Sequence, residues 1–128
     1  MASDLAAIRK QGLIVKAARE IALAAIEFCP TCLLNISATS LDGSAPDDVD
    51  LLIDIFNVPV GDSERLQEIL REVYSPYLFQ DNLVVAVILH DEKETEMFYM
   101  AEVKRIKAAP DVLKWISERY DDLLKKAG

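Results

Sequence analysis

A single histidine, His90, and two cysteines, Cys29 and Cys32, are all the chain has of the residue types that most often hold metals or act as nucleophiles. A structural zinc site takes four ligands, and the Cys29-Pro30-Thr31-Cys32 spacing supplies two of them without a second pair elsewhere. The four glycines are scattered, so no glycine-rich phosphate loop is present, and no glycine-flanked serine resembles a nucleophile elbow. Long apolar runs are missing as well. The nearest approach to the roughly 18 residues of a membrane helix, from Gly12 to Ile36, is broken by Lys16, Arg19, Glu20 and Glu27, so no membrane partner is expected.

Positive charge is in short supply. Fourteen Lys and Arg against 22 Asp and Glu leave a net charge of −8, which argues against a nucleic-acid partner, since such proteins bind largely by neutralising phosphates. Residues 1–28 carry four basic and three acidic groups, residues 29–100 three and fourteen, and residues 101–128 seven and five. The acid is concentrated in the middle, where it favours a basic partner. Asp4 precedes the first apolar stretch and no secretory core follows, so the expected compartment is the cytoplasm, where structural disulfides are not expected. Cys29 and Cys32 follow the end of a predicted helix, where the dipole opposes a thiolate, so redox activity is not expected of them.

What the chain does have is 52% apolar residues within 128 positions, enough for one domain spanning residues 1–128 with one core. Asp4 to Phe28, rich in Ala, Leu and Ile, predicts a long helix, and Gly12 weakens it by about 1 kcal/mol relative to alanine. Its second half is apolar nearly all round, which marks a central core helix or a subunit contact. Strands are predicted over Leu33 to Ser40 and Val49 to Val58, paired as a hairpin across the turn-forming stretch Leu41 to Pro46. A helix carrying Leu66, Ile69, Leu70 and Val73 follows Gly61 and is expected to end near Ser75-Pro76. Leu83 to Leu89 reads as a central strand.

Residues 94–109 fit either a strand or a helix. The strand, returning from a charged hairpin tip at His90 to Glu96, is favoured because Phe98, Tyr99 and Val103 prefer sheets. A final helix opens at Pro110 or Asp111. The expected fold is therefore α+β, a single layer of mostly antiparallel sheet covered by helices, in the order α-β-β-α-β-β-α.

The strongest chemical pattern is Asp48-Val49-Asp50-Leu51-Leu52-Ile53-Asp54. On a strand it sets Asp48, Asp50 and Asp54 on one face, with neighbouring side chains about 6.6 Å apart. Two such carboxylates can share a divalent cation; equally, they can form a solvated face, where their repulsion amounts to only about 0.6 kcal/mol. Asp48-Val49-Asp50-Leu51-Leu52 resembles the Asp-x-Asp-Leu strand of small nucleotidyltransferases of the DNA polymerase β type, with Ser37 near that family's serine position. The resemblance covers about twenty residues and implies a magnesium cofactor held by Asp48 and Asp50, with Asp91 as the third carboxylate. Ile36 departs from the family's glycine and would obstruct close approach to a phosphate, and Ala38 stands where Arg or Lys is common.

Tyr74-Ser75-Pro76-Tyr77-Leu78-Phe79 forms an aromatic-rich connection that packs on the core or meets a partner. The primary expectation is a small acidic cytoplasmic protein without cofactor that acts by binding, as an adaptor, chaperone-like or inhibitor-like module. Its binding residues would be Asp48, Asp50, Asp54, Tyr74, Tyr77 and Phe79. The alternative is a magnesium-dependent nucleotidyltransferase using Asp48, Asp50 and Asp91. Either the first or the final helix leaves room for a homodimer.

Overall fold

The Ala-rich amino-terminal stretch forms α1 (Ala2–Phe28), and the chain continues through β1 (Leu33–Ser37), α2 (Thr39–Asp42), β2 (Leu51–Val58) and α3 (Ser63–Phe79). It ends with β3 (Val85–Asp91), β4 (Lys107–Ala108) and α4 (Ala109–Ala127). The computed structural model describes residues 2–44, 48–93 and 107–127. The class is α+β, and among the described residues the sheet order is β3-β2-β1-β4.

β1 and β2 pair antiparallel, with Leu34 opposite Ile55 and Ile36 opposite Ile53, as the alternation of both segments requires. β1 stops at Ser37 and does not continue to Ser40. There Thr39–Asp42 makes one helical turn that buries Leu41, and Gly43, at φ 78°, ends it in the left-handed region that glycine tolerates.

β3 departs from the expected sheet in two ways: it runs parallel to β2, and it stands at the end of the strand order. The sheet is therefore mixed. The cause is α3, which lies between β2 and β3; a crossover helix returns the chain to the starting edge, and the next strand must then be parallel. The strand or helix expected over residues 94–109 falls mostly outside the described residues, although Lys107–Ala108 pairs antiparallel with β1.

α3 also runs past Ser75-Pro76 to Phe79, so the expected aromatic connection is helix. Pro76 sits in the last turn, where it supplies no N–H to the helical ladder. The Ser75 hydroxyl donates to the Arg71 carbonyl, and the Gln80 N–H donates to the Pro76 carbonyl at 2.8 Å.

The core lies between one face of the sheet and a layer of helices, with α1 between α3 and α4. Leu51, Ile53 and Ile55 of β2 and Leu34 and Ile36 of β1 meet Val15, Ile21, Leu66, Leu70, Val112 and Ile116 there. Each large side chain so buried contributes about 1.5–3 kcal/mol. Ala17, Ala18, Ala22 and Ala25 are fully buried and let α1 approach its neighbours closely, which makes the apolar half of α1 the central core helix. Arg119 of α4 fastens onto α2, its Nε donating to the Ser40 carbonyl at 2.7 Å.

Candidate functional site

The pairing of β2 with β3 slips at one place, and that slip shapes the outer face of the sheet. Ile55 faces Leu89 and Val58 faces Asp91, so Phe56 and Asn57 together oppose His90 as a β-bulge. Asn57 carries the bulge at φ 65°, a conformation asparagine adopts more readily than most residues. The extra residue lets both Ile55 and Val58 face the core while Phe56 turns to the other side with His90. There the two rings stack, with centroids 4.4 Å apart and planes 10° from parallel. Asp54 completes the group: its Oδ1 lies 2.9 Å from His90 Nε2.

His90 is thus held by its edge and its face, and only 8% of it is exposed. A carboxylate that orients an imidazole supplies two parts of a general-base arrangement. The thiols do not supply the third. Cys29 and Cys32 belong to the core on the helix side of the sheet, whereas His90 lies on the opposite side from Val87 and Leu89. The Cys29 thiol interacts with the Thr31 hydroxyl at 3.8 Å and the Asn57 carbonyl at 3.9 Å. Both cysteines are free, and burial, reinforced by the neighbouring Cys29, pushes the Cys32 thiol up to about 11. It is a protonated core thiol at neutral pH.

The aspartate row is divided among three environments. Asp48 is exposed in the turn before β2. Asp50 accepts the Val84 N–H at 2.9 Å and the Lys10 ammonium at 3.1 Å. Burial alone would raise its pKa, but the Val84 amide and Lys10 together outweigh burial and hold the carboxyl below its ordinary value. Asp54 belongs to His90.

Asp91 stands beside Val58, at the far end of the strand that Asp50 precedes, roughly 20 Å away at the usual rise per residue. The magnesium set Asp48, Asp50 and Asp91 therefore does not assemble, because parallel pairing sends the end of β3 away from the start of β2. Ser37 does lie opposite Leu52, at the Asp50 end, but Lys10 already occupies the cation position on Asp50. Among the described residues, no group of three His, Cys, Asp or Glu side chains converges on a metal-sized site.

The aromatic cluster is divided as well. Tyr74 packs half-buried against the core, and Tyr77 is buried with its hydroxyl donating to Glu20 Oε2 at 2.6 Å. Burial, followed by the Glu20 carboxylate, pushes the Tyr77 phenol well up. Phe79 alone faces outward, 82% exposed. Helical geometry separates them: Tyr74 and Tyr77 share a face, and Phe79 falls on another.

Sequence reasoning missed a groove between α1 and α4. It has a volume of about 360 Å³ and is lined by Ile8, Gly12 and Leu13 of α1 and Tyr120, Leu123 and Leu124 of α4, with Arg9 and Lys16 alongside. Leu124 is 53% exposed at its rim. The signals were present: a glycine in mid-helix, and two adjacent leucines where an apolar stripe needs one. A second, more polar depression of about 570 Å³ lies between the first turns of α3 and β3, lined by Glu64, Gln67, Arg71 and Ile88 among others.

No protein-family model, curated protein or solved structure matches this chain. Among the described residues, no helix is long and apolar enough to cross a membrane.

Proposed function

We propose that this protein acts by binding a protein partner, as an adaptor, chaperone-like or inhibitor-like module, and that the partner docks in the groove between α1 and α4. The groove is the observation that carries the reading. Its lining is mostly apolar, it opens at the surface, and Leu124 stands half in solvent at its rim. Catalysis has less support, since His90 and Asp54 have no thiol beside them and the aspartates are engaged separately.

A basic partner, expected from the acid concentrated in residues 29–100, finds fewer free aspartates than the sequence promised, because Asp50 and Asp54 are engaged within the fold. Two free buried thiols suit the reducing cytoplasm.

Site-specific photocrosslinking in cells tests the reading. A benzophenone side chain at position 124 is expected to trap a protein adduct, and the same group at 118, exposed but outside the groove, is not. No adduct at 124, or equal adducts at both positions, would overturn it. A homodimer seated on the groove would appear as an adduct of twice the chain mass.

A further inference from the structure

We infer that the groove receives an amphipathic helix of the partner that carries acidic residues seven positions apart, its apolar stripe on Leu13, Leu123 and Leu124 and its carboxylates on Arg9 and Lys16. This deepens the binding reading above and rests on it.

Three observations converge. First, among the described residues the charged side chains that line the groove, Arg9 and Lys16, are both cations, in a chain whose net charge is −8. Arg9 and Lys16 are exposed, and among the described residues neither forms an ion pair. Lys10, adjacent to Arg9, is by contrast committed to Asp50. Second, Arg9 and Lys16 are two helical turns apart on one face, about 10 Å along the axis, which is the spacing that two carboxylates seven residues apart on a parallel or antiparallel helix would match.

Third, Gly12 lies between them in the groove, and a Cβ built there would meet nothing within 4 Å. A mid-helix glycine costs about 1 kcal/mol against alanine, and among the described residues no contact requires this one. Its missing side chain leaves room for another backbone to approach α1 closely. A trough between two helices, apolar at i, i+3 and i+4 positions, suits the apolar stripe of a third helix. An extended acyl chain would call for a cavity enclosing most of its surface, and the half-exposed Leu124 shows this groove does not provide one.

The test is selection from a displayed library of helical 18-residue peptides against the whole protein, with Gly12→Leu as the counter-target. A leucine at position 12 is a good helix former, its Cβ meets nothing within 4 Å among the described residues, and its side chain would occupy space in the groove. The expected winners carry a leucine stripe flanked by Glu or Asp at seven-residue spacing, and they bind Gly12→Leu at least about tenfold more weakly. Reversing both cations, Arg9→Glu with Lys16→Glu, is expected to weaken the same peptides about tenfold at low salt. Winners that lose binding to Gly12→Leu but carry basic or no flanking charge would overturn the acidic partner and leave the binding groove standing. No winners, or winners indifferent to Gly12→Leu, would overturn both. A winner set displaced by the protein's own dimerisation, seen as a concentration-dependent sedimentation coefficient, would assign the groove to a second copy and overturn the inference.

Discussion

Asp54 and His90, 36 positions apart in the chain, are joined across the β2–β3 pair by a 2.9 Å contact between Oδ1 and Nε2. The contact exists because Asp54 pairs with Ile88 and so shares a sheet face with His90 two residues on, and alternation sets Phe56 on that face too, where its ring backs the imidazole. One carboxylate that sequence periodicity assigns to a wet acidic face is therefore part of a mostly buried structural unit.

Removing that carboxylate should destabilise the fold. Asp54→Ala leaves a buried imidazole nitrogen without its partner, a loss of about 1–3 kcal/mol. Urea denaturation of the single variants and of Asp54→Ala with His90→Ala measures it, and coupling between the two sites is expected. Additive effects would show that the contact contributes nothing of its own.

Asp50 makes the acid limb of stability depend on Lys10. Its folded pKa lies below the ordinary 3.8, so its contribution is present above that value and is lost as pH falls through the folded pKa. A carbon-13 carboxyl titration is expected to place Asp50 below 3.8 and to move it upward in Lys10→Met. An Asp50 that titrates above 3.8, or ignores Lys10→Met, contradicts the arrangement.

Gly12→Ala is expected to stabilise the protein. Alanine at an open, helical position gains about 1 kcal/mol, equivalent to roughly 4 °C in Tm for a chain of this size. Thermal circular dichroism reads this directly. A lower Tm would mean that α1 uses the glycine inside the fold.

Cys32 should resist alkylation. With its thiol pushed up to about 11 by burial and by Cys29, little thiolate forms at pH 8. Iodoacetamide followed by peptide mass mapping is expected to label Cys32 slowly in the native protein and quickly in urea. Rapid native labelling would place the thiol in contact with solvent.

Much of this fold is written locally. Leu51 to Val58 alternates with period two, Ser63 to Val73 repeats with period 3.6, and the alanines of α1 leave one side of that helix small enough to sit at the centre. These patterns depend on neighbours within one or two turns, so the chain alone determined the α+β class, the β1–β2 pair and the existence of the long helices. Leu83 to Leu89 was legible as a strand, but its direction was not, since an apolar run reads the same parallel or antiparallel.

The candidate sites belong to the tertiary structure. Parallel pairing carried Asp91 away from Asp50, Lys10 claimed Asp50 from α1, and the register of β2 on β3 brought Phe56 beside His90. Pro76 reads as a helix end in isolation; packing of Tyr77 and its bond to Glu20 carry α3 one turn farther. The α1–α4 groove arises where residues more than a hundred positions apart fail to fill the space between them. Local sequence determines which face of each element is apolar; only the packing of distant elements decides which apolar surface remains uncovered and which charge finds a partner.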